Sequence, residues 1–341
     1  MRILLIICTM MLYLNMTAKA TLGKVLLKNI SQFEISESVL EMSNTAKITV
    51  PKTYSKLDQK AILEQFQVGN PVTIDAGYYR EDFVDVKREF TGFIREIESD
   101  IPLIIYCDDE TYPLRQNSHV KSYRDVTLKQ VLTDIIPKPM VFECPDVNLG
   151  RFQIDKESSF QVLQRIKNDY GLYSRLQEGV LKVNLRDIVN GTDIKDVHTY
   201  VINPVTSAGS LVKKNELKFK RKEDYKLLVK VTSMLTNGKK TTVEVGNKET
   251  QCSTLHFTYP GKYTEKQLKD IATSIYNKRC YDGYSGTITG FGSPRTHAGD
   301  ALVIEDKIEK DRNGKYMIEK VDITYDESSG FSRKNTLSYK I

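Results

Sequence analysis

Asp108-Asp109-Glu110 is the first candidate for chemistry in this 341-residue chain, since three neighbouring carboxylates could join a cation site or supply one half of an acid–base pair. A two-carboxylate hydrolase needs its acids on separate elements facing one cleft, which spacing alone does not show. The triplet closes the run Leu103-Ile104-Ile105-Tyr106-Cys107, and three acids at a strand end read as a solvated turn. The four histidines, His119, His198, His256 and His297, are isolated from one another. Three fall in or beside strand-like runs, where a hydrogen-bonded structural role is expected; His297 sits in a turn and is the least explained. Five cysteines (Cys8, Cys107, Cys144, Cys252, Cys280) form no Cys-x-x-Cys pair and have no histidine at zinc spacing. Metal and redox readings therefore fail on geometry, and buried reduced thiols are expected.

No Gly-x-Ser-x-Gly, His-Glu-x-x-His, phosphate-binding Gly-Lys-Ser/Thr loop or dinucleotide fingerprint occurs. The one glycine-rich run, Tyr284-Ser285-Gly286-Thr287-Ile288-Thr289-Gly290-Phe291-Gly292-Ser293-Pro294, has strand character and no helix N-terminus behind it to hold a phosphate. Glycine within a strand marks a bulge, a tight bend or a close backbone approach. Gly92, Gly286, Gly290, Gly292, Pro294, Gly299 and Gly314 are accordingly expected to be structural bends and turns, with Asn313-Gly314 as a hairpin turn. No catalytic, cofactor-binding or metal-binding residue is assigned, no cofactor is expected, and the chain reads as a non-enzyme.

The elements that would position these residues are mostly strands. Apolar and polar residues alternate in Lys24-Val25-Leu26-Leu27-Lys28, Gln32-Phe33-Glu34-Ile35-Ser36, Ala46-Lys47-Ile48-Thr49-Val50, Val72-Thr73-Ile74-Asp75-Ala76 and Phe90-Thr91-Gly92-Phe93-Ile94-Arg95-Glu96-Ile97-Glu98. A short helix is expected at about 56–65. Helical character appears at 125–136, with Asp125 as N-cap and Pro137 as stop, and again from Ser158 or Ser159 to Asp169, with Phe160, Leu163 and Ile166 inward. A hairpin follows at 172–183. Asn237-Gly238 predicts a hairpin turn, and Thr264-Glu265-Lys266-Gln267 a capping box opening a helix to about 278.

Composition is that of an ordinary globular chain, 40% hydrophobic and 28% charged, long enough for two or three domains. The excess of +6 comes from 50 basic against 44 acidic residues, a mixed surface. Between Leu211 and Lys240, ten Lys or Arg face three acids, but they alternate with Leu217, Phe219, Leu227, Val229 and Val231. That alternation fits the solvated face of two strands better than a phosphate-binding stripe, so specific nucleic-acid recognition is not expected. Tyrosine reaches 19 with no tryptophan, which favours β structure and assembly.

The N-terminus supports two readings. Arg2, the apolar run from Ile3 to Leu14 and Ala18-Lys19-Ala20 have the form of a secretory signal, too short for a membrane span. Met16 offers an alternative start that removes the apolar run. The resulting division is a signal-like or mis-assigned segment at 1–20, a β-barrel-like domain at 21–123, an α/β module at 124–195, and a second β-barrel-like domain at 196–341 containing the helix at about 264–278. The fold class is mainly β with an α/β insert (α+β), two small antiparallel β-barrel-like domains flanking an α/β module.

Several segments carry a family resemblance. Phe90-Thr91-Gly92-Phe93-Ile94, then Pro102-Leu103-Ile104-Ile105-Tyr106-Cys107-Asp108-Asp109, the helix at Thr127-Leu128-Lys129-Gln130-Val131-Leu132, and Asp169-Tyr170-Gly171-Leu172-Tyr173 resemble the tail and baseplate hub proteins of tailed phages. That group includes late control proteins and the hub part of contractile injection systems. Gly290-Phe291-Gly292-Ser293-Pro294, Gly299-Asp300, Gly314-Lys315-Tyr316 and Ser329-Gly330-Phe331-Ser332-Arg333-Lys334 are similar to the closing β domain of such hubs, although Phe331-Ser332-Arg333 departs from the expected Gly-Tyr-Arg. The likeness is diffuse and spans about 22–341.

It implies a structural subunit whose two β domains let a homotrimer form a pseudo-sixfold ring, with a tail tube protein on one face and a spike protein on the other. DNA would pass through the ring, with no membrane involved. The site of action would be a virion or injection-machine particle assembled in the host cytoplasm, which favours Met16 as the start. The alternatives are an exported cell-envelope β protein that binds glycan or protein, secreted or periplasmic if 1–20 is a true signal, and a tail-associated hydrolase acting on cell wall.

Overall fold

The computed structural model describes residues 15–28, 30–50, 66–81, 83–98, 102–177, 179–185, 194, 196–204, 211–234, 239–249, 251–261 and 263–341. The N-terminal strands are β1 (Asn15–Leu22), which the sequence reading did not expect, and β2 (Val25–Leu27), β3 (Gln32–Ser38), β4 (Thr45–Val50), β5 (Pro71–Arg80), β6 (Phe83–Glu98) and β7 (Leu103–Asp108), which it did. In β4 the residues Ala46, Ile48 and Val50 are buried while their neighbours are half-exposed, the period of a strand with one face in a core. β1 lies ahead of the first expected strand, 24–28, which corresponds to β2. Ala18 and Ala20 are buried, and the strand pairs with β5 from Asn15 opposite Tyr79 to Leu22 opposite Val72. The boundary placed at residue 20 therefore falls inside a core strand.

Next come β8 (Ser118–Thr127), α1 (Leu128–Ile135), β9 (Val141–Glu143), β10 (Asn148–Ser158), α2 (Ser159–Tyr170), β11 (Leu172–Gln177) and β12 (Val180–Leu185). The cap of α1 is Thr127 rather than Asp125, because pairing of β8 with β10 carries the strand through to Thr127 opposite Asn148. Thr127 Oγ1 accepts from the Gln130 amide, and Gln130 Oε1 accepts from the Thr127 amide. Ser158 and Gln161 cap α2 in the same way. In α2 it is Val162, with Leu163 and Ile166, that is buried; Phe160 is half-exposed, its ring 3.4 Å beneath the Arg115 guanidinium.

The remaining elements are β13 (Val197–Ile202), β14 (Val212–Lys220), β15 (Leu227–Met234), β16 (Lys240–Gly246), β17 (Ser253–Pro260), α3 (Glu265–Arg279), β18 (Gly283–Phe291), β19 (Ala301–Asp306), β20 (Gly314–Asp326) and β21 (Gly330–Lys340). The basic stretch is split between two sheets: β14 exposes Lys213, Lys214 and Lys218, whereas β15 is largely buried in a separate three-stranded sheet. Asn313-Gly314 is no two-residue turn. A seven-residue link joins β19 to β20, gathered by Asp306, whose carboxylate accepts from the amides of Ile308 (2.9 Å) and Glu309 (3.0 Å) while its own N–H donates to Asn313 Oδ1 (2.6 Å). The helix expected at 56–65 and the turn at Asn237-Gly238 lie outside the described residues.

The two β units share one strand order. Across the sheet the first runs β3-β4-β7-β6-β5-β1 and the second β14-β18-β21-β20-β19-β13. Ranked along the chain within each unit, both read second, third, sixth, fifth, fourth, first. All five pairings match in direction except the last, where β1 is antiparallel to β5 and β13 parallel to β19. Pairing of Gln32–Ser38 with Lys320–Asp326 fuses the units into one 13-stranded sheet over a shared core that includes Phe33, Ile48, Ile74, Tyr200, Ile318 and Phe331. A second core holds Leu128, Leu132, Leu163, Val229, Leu268 and Ile275. α3, expected with the C-terminal β domain, buries its apolar face in this second core beside α1, α2 and β15.

Candidate assembly interface

The β units meet at a buried ionic cluster. Arg333, fully buried in β21, donates from Nε to the Gly292 carbonyl (2.8 Å) and from Nη1 to the Thr296 carbonyl (3.1 Å), and its Nη2 pairs with Glu89 of β6. The other Glu89 oxygen accepts from Arg295 Nε (3.0 Å), whose remaining nitrogens reach Asp85 Oδ2 (2.6 Å), the Asp85 carbonyl (2.8 Å) and the Ala76 carbonyl (3.2 Å). A charge-assisted network inside a core is stable only when each charge is satisfied, and here each is. Gly292 makes the geometry possible. A Cβ there would lie 2.0 Å from the Phe331 ring, and without one the backbone comes close enough for its N–H to donate to Tyr78 Oη (3.0 Å) and the Phe331 carbonyl (3.1 Å).

The other bends fall at close approaches. Gly92 of β6 lies under the Asp108 carbonyl, and Gly290 of β18 faces the Tyr200 hydroxyl, 2.1 and 2.3 Å from where a Cβ would sit. Gly286 has φ +109° and would press a side chain onto the Glu216 carbonyl of β14. Pro294 follows a cis peptide bond, Gly299 precedes β19 beside Arg175, and Gly314 opens β20 against Tyr316.

The acidic triplet is not a solvated turn. Asp108 is fully buried between Arg95 Nη1 (2.9 Å) and Arg115 Nε (2.5 Å). Asp109 accepts from the amides of Asn44 (2.7 Å) and Thr111 (3.0 Å), while burial holds its carboxyl above the usual range; only Glu110 is exposed. His119 Nε2 bonds Ser159 Oγ (2.9 Å) and His198 Nε2 bonds Asp300 (3.2 Å). His256 is exposed on β17. His297 Nδ1 sits 3.1 Å from Glu37, a bond that holds the imidazole above its ordinary value. Arg175 of β11 donates to the Ala298 carbonyl (3.0 Å), tying the module to the same turn. Among the described residues no three His, Cys, Asp or Glu side chains are placed to hold a metal ion. The four described cysteines are unpaired, Cys107 and Cys280 buried and Cys144 and Cys252 half-buried; burial pushes the Cys107 thiol up to about 12.

What remains available is surface. The β5–β6 hairpin presents Tyr79, Phe83 and Val84 at 42, 45 and 74% exposure. β14 and β2 end the path of the large sheet. A cavity of about 600 Å³ opens where α2, β17 and α3 face β14, β20 and β21. Composition and spacing did not point to Glu89, Arg295 or Asp306. Arg333 did carry a signal: it occupies the inward register of β21 with Phe331, Asn335 and Leu337.

No known protein family and no curated protein sequence matches the chain. Solved structures do. A tail protein from Neisseria meningitidis MC58 superposes with a TM-score of 0.60 at 13% identity, over 95% of this chain and 96% of that one. The 43 kDa tail protein of prophage MuSo2 from Shewanella oneidensis gives 0.60 at 16% identity, over 95% and 98%. An Escherichia coli component of the type VI secretion system, itself similar to T4 bacteriophage tail proteins, gives 0.52 at 10%, over 97% and 75%. The chain thus has the fold of phage tail proteins and of a type VI secretion component, over nearly its whole length.

Proposed function

We propose that the chain is a structural hub subunit of a phage tail or related injection machine. Three copies close into a pseudo-sixfold ring that joins a tail tube protein on one face to a spike protein on the other. The repeated strand order carries this reading: a chain that builds the same six-stranded unit twice lets three chains supply six near-equivalent units to a sixfold tube. The full-length likeness to tail proteins supports it. The ring works by interface area, which for obligate contacts is about 2,000 Å² or more, and catalyses nothing. DNA passes through without its sequence being read, and assembly takes place in the host cytoplasm. The exposed lysines of β14 fit this role, because lysine on an edge strand discourages indiscriminate strand pairing.

Light scattering on the purified full chain, with negative-stain images of the same sample, tests the reading. A mass of three subunits and a ring with six lobes are expected. A monomer at every concentration, alone and with tube and spike proteins added, would overturn it.

A further inference from the structure

The two cores share no residue among those described, and the chain passes from one to the other abruptly. Cys280, at the end of α3, belongs to the core of α1, α2 and β15, while the next residue, Tyr281, belongs to the core of the large sheet. A second crossing runs beside it. Phe219 of β14 packs on the sheet core and Leu227 of β15 lies in the other, with 221–226 exposed between them. Two bonds hold these crossings together, from Lys220 Nζ to the Arg279 carbonyl (3.2 Å) and from the Lys222 amide to Asp282 Oδ1 (2.9 Å). A third crossing follows β7. Tyr112 stacks on Phe93 of β6 (ring centroids 5.4 Å apart), Leu114 enters the other core, and Arg115 spans the two, donating from Nε to Asp108 with its guanidinium over Phe160.

The seam between the bodies is loosely filled. The cavity of about 600 Å³ has Lys167, Tyr173 and Ile275 on one wall and Met317, Leu337 and Tyr339 on the other. A second cavity, of about 500 Å³, has Arg115 and Phe160 facing Ser36, Thr45 and Thr336. The β3–β4 loop contributes to both, through Val39 in the first and Leu40, Glu41 and Met42 in the second. It reaches across by inserting Met42 into the second core and by accepting at the Leu40 carbonyl from Lys167 Nζ (2.9 Å), which also lies 3.8 Å from Glu41. Arg175 adds its bond to the Ala298 carbonyl (3.0 Å). Units with separate cores move against one another unless the interface between them is large and apolar, and a seam that holds two cavities and is tied by polar bonds falls short of that.

We propose that the described residues of 118–185 and 227–280 swing as one body on the large sheet, about an axis through Arg115 and the Cys280–Tyr281 bond, and that the β3–β4 loop with Lys167 and Arg175 latches that body in place. Opening parts the walls of the larger cavity. The pairing of β3 with β20 lies wholly within the large sheet and is untouched, so the inference stands or falls apart from the ring.

α3 ends at the axis, so Lys266 near its other end is a lever of about 20 Å at 1.5 Å per residue. A rotation of about 15° across the helix carries it about 5 Å.

Double electron–electron resonance on the full chain tests this, with Cys8, Cys144 and Cys252 replaced by serine. Spin labels at Lys266→Cys and Lys334→Cys report the distance between the bodies, and labels at Glu34→Cys and Lys334→Cys report the large sheet alone; all three labelled residues are exposed. Combining Lys167→Ala with Arg175→Ala is expected to shift or widen the first distribution by about 5 Å and leave the second unchanged, and rising salt to act in the same direction by screening Lys167 from Glu41. A first distribution as narrow as the second, unmoved by the latch variant and by salt, overturns the hinge. Should the double variant unfold, seen as widening of the second distribution, Lys167→Ala alone, which removes a half-buried side chain, decides by the same criterion.

Discussion

Replacing Arg333 with methionine, which is apolar and of similar length, probes the cluster that joins the two β units. The change removes the donors to the Gly292 and Thr296 carbonyls and to one oxygen of Glu89. Each carbonyl left without its donor costs about 1–3 kcal/mol, and breaking a buried ion pair costs about 3–5 kcal/mol. The costs overlap because one guanidinium serves all three acceptors, and Glu89 keeps Arg295 at 3.0 Å. The expected loss is therefore about 3–5 kcal/mol and not the sum. Equilibrium urea unfolding followed by tyrosine fluorescence and circular dichroism gives the change as the midpoint shift multiplied by the m-value. Lys266→Met on the exposed side of α3 is the control and should fall within about 0.5 kcal/mol of wild type. Adding Glu89→Met to Arg333→Met should cost less than the separate losses combined, with a coupling of at least about 1.5 kcal/mol. An Arg333→Met protein as stable as the control, or a strictly additive double variant, would refute the reasoning.

Gly292→Ala should destabilise by about 1–3 kcal/mol in the same assay, because the Phe331 ring is held by Phe33, Tyr78 and Tyr325 and cannot yield; an unshifted midpoint would contradict this. A chain beginning at Met16 keeps all of β1 except Asn15 and should retain a cooperative transition. One beginning at Thr21 loses most of β1, including buried Ala18 and Ala20, and should lose its cooperative transition in calorimetry. Burial alone would raise the Asp306 carboxyl, but bonds from the Tyr284 hydroxyl, the Glu309 and Ile308 amides and the Asn203 amide hold it down at about 2. Its contribution to stability is thus present above the unfolded value of about 3.9 and lost as pH falls through about 2, and Asp306→Asn should flatten acid unfolding in that window. His297 is raised by its bond to Glu37, so its contribution is present below about 6.5 and lost as pH rises through the higher folded value; in an NMR titration Glu37→Gln should move the His297 midpoint down.

Local rules were legible where they act over a few residues. The Thr264–Gln267 and Ser158–Gln161 caps sit where Ser/Thr-x-x-Gln predicts, and alternation gives the buried faces of β4 and β21. The α1 cap was misplaced because Asp125 and Thr127 are both good N-caps, and the choice is made by β10, about 20 residues further on, which holds Asp125 and Val126 in a strand. Asp108 looked solvated because nothing near it in sequence announces that Arg95 and Arg115 converge on it. Glu89 and Arg333 are separated by 244 residues, a distance over which pattern carries no information. The repeated strand order was hidden for a further reason: β15, β16, β17 and α3 interrupt the second unit between its second and third strands, while the first unit has no such sheet there. Arg333 alone could have been found, as a charge on the inward register of an otherwise apolar strand face.

In the proposed ring, one of every two contacts between β units is already made inside the chain, where β3 pairs with β20 over a common core. The other falls between chains, and the sheet edges left over there differ. The first unit ends on β1, antiparallel to its neighbour and extended by β2; the second presents β13, parallel to its neighbour, and β14. Two copies meeting through like β14 edges would bring together two strands that each expose Lys213, Lys214 and Lys218 against one acid, Glu216, and like charges opposed across strands are destabilising. Unlike edges carry no such penalty. On that proposal the duplicated fold would supply the sixfold geometry, while its departure from exact repetition would favour head-to-tail closure by three copies over an isologous pair.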